Sequence, residues 1–237
     1  MIDSHCHLMD ISTDSINPDY FKLEKIVNSA YCLNSSKISV QMKKKHQDFL
    51  YSTIGMSPQK CMGNVDKEIN ELNGLLDVEN KYINAIGEIG LDYHWGDTEQ
   101  KRDSQRKYFK LQIEKAKEFQ KPIIVHSRET TSECIELLSR FEYGVMFHFY
   151  SGNVQEAKDI SDRGWLISIP PLKGRERSNV IEKVELESLV AETDAPYVGK
   201  TPLDVEKSIE IISNIKKIEK EEVEKQTSKN TLKLFGQ

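Results

Sequence analysis

Short runs of wholly apolar residues alternate along this chain with segments of helical periodicity, and this alternation limits the possible folds more than any other feature. Residues 123–125 and 145–147, for example, are apolar throughout. A strand without polar side chains has to be covered on both faces, as in a parallel sheet between helices. Residues 100–119 show the clearest helical stripe of apolar side chains. The sequence therefore predicts an α/β protein with a parallel sheet.

Eight strands can be predicted from these runs, and they lie at regular intervals along the chain. They cover residues 3–8, 26–31, 50–56, 82–91, 123–126, 144–149, 165–170 and the segment from Leu186 to Asp194. Residues 204–235 are predicted to be helical. Eight parallel strands with helices between them predict a single (β/α)8 barrel, the TIM barrel, and 237 residues is close to its usual length of ~250. No linker interrupts the pattern, so residues 1–237 are predicted to form one domain.

The charge and the apolar runs narrow the classes of partner. With a net charge of −5 the chain is not a polycation, so any contact with nucleic acid has to come from a local basic rim. The four cysteines are scattered without a CxxC pair and are expected to be reduced. No apolar run approaches the ~20 residues of a membrane span, and no leader-like segment precedes the first strand. We expect a cytoplasmic protein without a membrane or an obligate protein partner.

Two histidines in the first predicted strand indicate a metal site. His5 and His7 are separated by one residue, and side chains alternate along a strand with a period of two. Both imidazoles therefore leave the backbone on the same side. Two imidazoles on one face of a strand can bind a single metal ion.

Four further polar residues stand at or near the carboxyl ends of predicted strands: Glu88, His126, His148 and Asp194. In a barrel these ends meet at one mouth, where active sites form. Four imidazoles and two carboxylates suit divalent zinc, manganese or magnesium. Because six ligands exceed the needs of one tetrahedral site, we expect two ions, ~3.5–4 Å apart as in other two-metal hydrolases.

Six stretches of the chain also match a known family in order. They are residues 2–8 (IDSHCHL), 85–93 (AIGEIGLDY), 122–128 (PIIVHSR), 148–152 (HFYSG) and 192–197 (ETDAPY), with the closing Asn230 and residues 234–235. In these stretches the chain resembles the TatD family of metal-dependent hydrolases and deoxyribonucleases, which are amidohydrolase-type barrels. The resemblance spans nearly the whole chain.

The resemblance implies a role for each predicted ligand. One ion would be bound by His5, His7 and Asp194 and a second by His126 and His148, with Glu88 bridging the two. Asp194 would also take the proton from the attacking water, which a carboxylate can do when it is hydrogen-bonded to that water. The implied reaction is hydrolysis of phosphodiester bonds, with 3′-5′ trimming of DNA as the usual activity. Asp194 and Glu88 are therefore the expected catalytic residues.

Two stretches depart from the family pattern. Many relatives read Gly-x-His-Pro after the third strand, whereas this chain has Ser57 before Pro58, so a histidine of the substrate side is missing. After Tyr197 the family has a longer loop with Arg, Asn and Pro, and residues 198–202 are a shortened version of it. Both departures concern the substrate rather than the metals.

Several residues near the predicted mouth are candidates for substrate contacts: Arg128, Ser151, His94, Lys173 and Arg175, the last two together with Arg177. Arg128 suits a phosphate oxygen, or an ion pair with Glu88 or Asp92. The turn at Ser151 could bind an anion, although a cap on the next helix at Asn153 is favoured. Lys173 and Arg175 form either a basic patch for a nucleic-acid backbone or an ordinary solvated loop.

Two aromatic rings after the fourth strand are further candidates. His94 would lie close to the mouth, where it could contact substrate. Trp95 could be a stacking platform for a base, or a packing residue at the rim.

Other functions fit the same predicted site. A small-molecule amidohydrolase, esterase or lactonase would use the same two metals, as would a deacylase of mischarged aminoacyl-tRNA. The acidic net charge and the short loop after Tyr197 favour these alternatives. A non-catalytic scaffold barrel is a third hypothesis, but it would be expected to have lost some of the six ligands.

Overall fold

Eight parallel strands follow one another in sequence order around a barrel in the computed structural model, which describes residues 1–12 and 16–236. The strands are β1 (Ile2–Cys6), β2 (Lys25–Asn28), β3 (Leu50–Ile54), β4 (Ala85–Asp92), β5 (Ile123–Arg128), β6 (Val145–Phe147), β7 (Leu166–Ile169) and β8 (Leu189–Ala191). Each strand pairs with the next one along the chain. The predicted (β/α)8 barrel is therefore confirmed.

Helices cover the outside of this sheet. They are α1 (Leu8–Ile11), α2 (Leu33–Lys45), α3 (Asp66–Glu79), α4 (Glu99–Glu118), α5 (Thr131–Leu137), α6 (Val154–Asp162), α7 (Arg175–Lys183), α8 (Val205–Lys216) and α9 (Lys220–Leu234). Alternate strand residues separate the core into two layers. Ile124 and Met146 belong to a cluster distinct from the one that contains their neighbours Val125 and Phe147. Within the described residues, no helix is both long and apolar enough to cross a membrane.

The ring closes between β1 and the segment that follows β8. His7 N donates to the Ala195 carbonyl at 2.7 Å, and Asp194 N donates to the His5 carbonyl at 2.9 Å. The buried carboxyl of Asp3 accepts from Thr193 twice, from its backbone N at 3.0 Å and its hydroxyl at 2.6 Å. Burial raises the pKa of Asp3 to about 8, although the hydrogen bonds from Thr193 act in the opposite direction. These contacts fix the two ends of the barrel against each other.

Three elements differ from the sequence prediction. Helix α7 was not predicted, because its nine residues are mostly charged and contain only two adjacent buried apolar side chains, Val180 and Ile181. Strand β8 ends at Ala191, and Asp194 lies in the turn that follows it. The helical tail divides into α8 and α9, because Lys217 adopts a left-handed conformation with φ of 57°. That residues 1–237 form one domain stays a prediction.

Helix α9 closes the amino-terminal end of the barrel through a buried amide. Asn230 Nδ2 donates to the carbonyls of Leu186 and Leu189, each at 2.8 Å. Asn230 is buried, and Leu234 one turn later packs with the apolar interior cluster. The amide is thus a second donor to the Leu186 carbonyl, which also accepts from Leu189 N, and it joins the turn before β8 to the first residue of that strand.

We expect Asn230→Ala to lower the free energy of unfolding by about 1–3 kcal/mol, because it removes two buried hydrogen bonds to carbonyls before and in β8. Urea unfolding followed by circular dichroism measures the change. Lys229→Ala, an exposed neighbour on the same helix, is the control and should change stability by less than about 0.5 kcal/mol. Equal stability of the two variants would contradict the role given to Asn230.

Candidate metal centre

Three of the predicted ligands converge at the junction of β1 with the turn after β8. The Nε2 atoms of His5 and His7 are 3.4 Å apart. Asp194 Oδ1 lies 3.7 Å from His5 Nε2 and 3.2 Å from His7 Nε2. These three ligand atoms are all within 4.8 Å of one another, so a single ion could contact all of them.

The other three predicted ligands form a second cluster beside the first. Glu88 Oε1 lies 2.9 Å from His126 Nδ1 and 3.5 Å from His148 Nε2. The other oxygen of Glu88, Oε2, lies 3.9 Å from His5 Nε2 and 3.8 Å from His7 Nε2. The two carboxylate oxygens of Glu88 therefore face different clusters.

The hydrogen bonding of His7 shows that the first cluster suits a cation. His7 Nδ1 donates to the Ser29 carbonyl at 2.7 Å. In the neutral imidazole, Nε2 then has no hydrogen and carries a lone pair. That lone pair faces the carboxylates of Asp194 and Glu88. Acceptors that face one another in a buried site need a proton or a metal ion between them. Imidazole nitrogens and carboxylate oxygens in this number suit zinc, manganese or another divalent ion.

Burial and mutual charge shift the pKa values of several groups in this cluster. Burial alone would raise the pKa of Glu88, but the neighbouring imidazoles of His148 and His126 hold it well below its usual range. Burial and the charge of His148 lower the pKa of His5 well below its ordinary value. Burial would also lower the pKa of His126, but hydrogen bonds to Asp92 and Glu88 outweigh it and raise that pKa to about 9. Glu88 is thus a buried carboxylate that is balanced by nearby cations.

Asp92 orients His126 from the side opposite Glu88, and sequence reasoning did not include it in the site. Its Oδ2 atom lies 2.9 Å from His126 Nε2 and accepts from Gln59 Nε2 at 2.8 Å. A carboxylate behind a ligand histidine fixes its ring and its tautomer. The sequence carried a signal for this role, because Asp92 follows Glu88 by four residues along one strand and so shares its face.

Gly90 allows β4 to approach β5 where the two ligands are placed. Its φ is 147°, and a Cβ atom built there would lie 2.0 Å from the His126 carbonyl oxygen. A side chain at this position would therefore force the strands that carry Glu88 and His126 apart. The site therefore requires a glycine at position 90, the second glycine of the Gly-Glu-Ile-Gly segment.

A third buried carboxyl, Glu192, was also missed by the sequence analysis. Its Oε1 atom accepts from Phe149 N at 2.7 Å, which holds the left-handed turn (φ 44°) immediately after His148. Its Oε2 atom lies 4.0 Å from His148 Nδ1, and neither atom has a hydrogen-bond partner in the part of the chain that the structure describes. Glu192 therefore positions the backbone that carries His148.

The predicted substrate residues Arg128 and Ser151 line a cavity of about 630 Å³. The metal pocket is a different cavity, and neither residue is among those that line it. Arg128 makes no ion pair with Glu88 or Asp92. Burial would raise the pKa of Asp92, but its hydrogen bond with His126 outweighs burial and lowers that pKa, and the charge of Arg128 contributes less. Helix α6 is capped by the Asn153 side chain, as the sequence analysis favoured.

None of the remaining substrate candidates is among the residues that line the metal pocket. His94 is exposed, with Nδ1 3.7 Å from Glu129 Oε1 and its ring against Trp95. Lys173 lines a groove between α7 and α8, and Arg175 begins helix α7 rather than lying in a loop. Both residues follow β7 and so stay on the side of the barrel mouth, and their contact with a substrate stays a prediction.

The metal pocket itself has a volume of about 300 Å³, at the lower end of the ~300–1,000 Å³ usual for ligand pockets. Ligand residues form its floor. The residues that line it are His7, Tyr31, Ser57, Gln59, Lys60, Glu88, His126, His148, Asp194 and Tyr197. Tyr31, Gln59 and Lys60 had no role in the sequence prediction, since their loops carry no recognisable motif.

Comparisons with known proteins agree with this geometry. The family model described as TatD related DNase matches residues 2–236. The chain is 34% identical to an uncharacterized metal-dependent hydrolase of Methanocaldococcus jannaschii, over 99% of this chain and 96% of the relative. It is 28% identical to the Homo sapiens protein named deoxyribonuclease TATDN3, over 99% of this chain and 94% of that protein. The crystal structure of YJJV, a TatD homologue from Escherichia coli, has the same fold, with a TM-score of 0.87, 24% identity and coverage of 100% and 98% of the two chains.

We expect Asp92→Asn to weaken binding of Mn²⁺ or Zn²⁺ by about 10–100-fold, because His126 loses the anion that orients its ring. Competition with a fluorescent chelator measures the affinity, and circular dichroism checks the fold. Asp97→Asn, an exposed aspartate of the following loop, is the matched control and should bind metal like the wild type. An unchanged affinity in Asp92→Asn would show that Asp92 does not orient a ligand.

Proposed function

Because the chain belongs to the TatD-related DNase family of metal-dependent hydrolases, we propose that it is a deoxyribonuclease that trims DNA from the 3′ end. The observation that carries this proposal is the position of Glu88, whose two oxygens face two separate groups of ligands at the barrel mouth. This is the arrangement that hydrolysis of a phosphodiester by two ions requires. A cytoplasmic location stays a prediction from the sequence.

The proposed cofactors are two divalent ions of magnesium, manganese or zinc. His5, His7 and Asp194 would hold one of them, and His126 and His148 would hold the other, with Glu88 shared between the two. When bound, two such ions lower the pKa of an attacking water and offset the charge of the phosphodiester. The donor set supports this assignment, since the six side chains offer only imidazole nitrogens and carboxylate oxygens as ligand atoms.

Asp194 is proposed to take the proton from the attacking water. Its side chain is 14% exposed, against 7% for Glu88, so water can reach it from the pocket. The backbone around it is fixed, because Tyr197 N and Val198 N donate to its carbonyl at 2.9 and 3.1 Å. A carboxylate that is held at the pocket and open to water is suited to general-base catalysis.

The size of the metal pocket supports trimming from an end. A volume of about 300 Å³ suits a group of about one nucleotide rather than a duplex. The proposed partner is therefore a DNA end, of which one residue enters the pocket. Because the net charge is −5, local cations rather than the whole surface would attract this end.

The geometry of the loop after Tyr197 favours a second candidate, hydrolysis of a small ester, amide or lactone, or of an aminoacyl-tRNA ester. Lys200 N donates to Asp204 Oδ2 at 2.7 Å, and Thr201 N donates to the same atom at 3.3 Å. The loop is thus a tight turn that satisfies its own backbone and does not extend over the pocket. A more open mouth would also admit a compact substrate.

The test of the first candidate is the shortening of a 5′-labelled single-stranded oligonucleotide in Mg²⁺ or Mn²⁺. We expect a ladder of products that shorten by one nucleotide, and we expect phosphorothioate linkages at the 3′ end to block it. If the oligonucleotide stays intact and an ester, a lactone or a mischarged tRNA is hydrolysed, the first candidate is wrong and the second is supported.

Asp194→Asn should reduce the rate of this reaction by at least about 10²–10⁴-fold while the fold is retained, because it removes the proposed base. Asp162→Asn, an exposed aspartate at the end of α6, should keep wild-type activity. Gel-based rates and circular dichroism measure the two effects. An active Asp194→Asn variant would exclude Asp194 as the base.

The bridging role of Glu88 can be tested by metal content. Glu88→Gln should lower the bound metal from about two equivalents to one or fewer, because a neutral amide cannot balance two cations. Mass spectrometry of the metal after gel filtration with Mn²⁺ or Zn²⁺ gives the stoichiometry. Glu79→Gln, at the exterior end of α3, should keep the wild-type value. Two equivalents in Glu88→Gln would refute the shared ligand.

A further inference from the structure

A lysine shares the metal pocket with the predicted ligands. Lys60 ends the single turn Pro58–Lys60 after β3, and it is exposed at the pocket wall. Among the described residues, the one polar or ring contact recorded for its ammonium group is with the ring of Tyr31, whose centroid is 5.8 Å from Nζ. No carboxylate in the part of the chain that the structure describes forms an ion pair with it. Its positive charge is therefore available to an anion that enters the pocket.

Two tyrosines form an aromatic wall beside this lysine. The hydroxyls of Tyr31 and Tyr197 donate to the two oxygens of Asp10, at 3.1 and 2.8 Å. Both rings contact His7 edge-on, with centroid separations of 5.4 and 5.3 Å. Each tyrosine ring is therefore held by Asp10 at its hydroxyl and by contact with the His7 ring.

Tyr197 presents most of its ring to solvent. It is 63% exposed although its hydroxyl is hydrogen-bonded. The tight turn at Lys200 and Thr201 leaves this ring uncovered. A flat aromatic face next to a metal pocket suits stacking with a base.

The neighbouring cavity is a poor place for a phosphate. Arg128 is its only cation among the lining residues, whereas Glu129, Glu133 and Glu156 bring three carboxylates. A polyanionic strand that enters the metal pocket is therefore repelled on that side and attracted on the side of Lys60. Ser57 lines the pocket on the Lys60 side, and its small side chain leaves space where a histidine would stand in the family pattern.

We propose that Lys60 and Tyr197 form a subsite for single-stranded DNA, in which Lys60 binds a backbone phosphate adjacent to the one at the metals and Tyr197 stacks on a base. Tyr31 and Asp10 are positioning residues of this subsite. The inference rests on the proposed nuclease function, and it names the residues that select the substrate. It requires no change in the assignment of the metal ligands.

Binding of DNA tests the lysine directly. The probe is a labelled single-stranded octanucleotide with phosphorothioates at its 3′ end, measured by fluorescence anisotropy with Mg²⁺ over a range of NaCl concentrations. Lys60→Met should weaken binding about five- to tenfold at low salt and reduce the slope of log affinity against log salt by about 0.7, the value for one phosphate contact on a single strand. Lys60→Arg should restore both.

A matched variant separates the subsite from general charge. Lys158→Met removes an exposed lysine on α6, outside the pocket. It should bind the octanucleotide within about twofold of the wild type and keep its salt slope. If Lys60→Met behaves like Lys158→Met, Lys60 does not bind a phosphate and the inference is wrong.

The ring of Tyr197 has its own test. Tyr197→Ala should weaken binding of the octanucleotide roughly tenfold through the loss of stacking. Tyr197→Phe keeps the ring and loses only the hydrogen bond to Asp10, so it should stay within about threefold of the wild type. Equal binding by the alanine and phenylalanine variants would refute stacking.

Kinetics distinguish this subsite from the metal centre. Lys60→Met should raise KM for the oligonucleotide about five- to tenfold with kcat within about twofold, whereas Lys158→Met should change neither. An equal fall in kcat and kcat/KM would place Lys60 in the catalytic machinery instead. If the wild type binds DNA through Lys60 but does not cleave it, the nuclease proposal fails and the subsite stands. If it neither binds nor cleaves, both fail.

Discussion

The whole site depends on the closure of the ring between its first and last strands. The carboxyl of Asp3 accepts two hydrogen bonds from Thr193, and the backbone of the next residue, Asp194, donates to His5. These contacts join residues that are about 190 positions apart in the sequence. Because of them, a carboxylate from the end of the barrel faces the histidine pair from its beginning. A ring that failed to close here would keep its eight strands but would separate the first group of ligands.

Charge balance is the second requirement of the site. Glu88 is buried and remains ionised only because imidazoles surround it, and His126 keeps a raised pKa only because Asp92 and Glu88 flank it. Each group is costly to bury by itself and is acceptable only as part of the cluster. A divalent ion would take the place of the imidazolium protons that balance the charge of these carboxylates. The groups that are costly to bury one by one are therefore the groups that would bind the ion.

The sequence predicted the barrel and the convergence of six polar residues for a simple reason. Parallel strands direct their carboxyl ends to one mouth, and the period of two along β1 places His5 and His7 on one face. It did not predict α7, because most residues of that helix are charged and few are apolar. It also did not predict the role of Asp92, although the period of two along β4 places Asp92 on the same face as Glu88. Tyr31, Lys60 and Tyr197 could not be grouped from the sequence. They belong to loops after three different strands and meet only in the folded ring.

Strands β2, β3 and β7 contribute none of the six ligands, yet the loops after β2 and β3 supply Tyr31, Ser57 and Lys60 to the pocket wall. The proposed hydrolytic centre and the proposed DNA subsite thus use different residues of one ring. Replacement of a side chain of these loops that contacts no ligand, such as Lys60, could change the preference for substrate, whereas Ser29 and Gln59 of the same loops contact His7 and Asp92. Selectivity can therefore be altered at single positions of these loops but not by exchange of a whole loop.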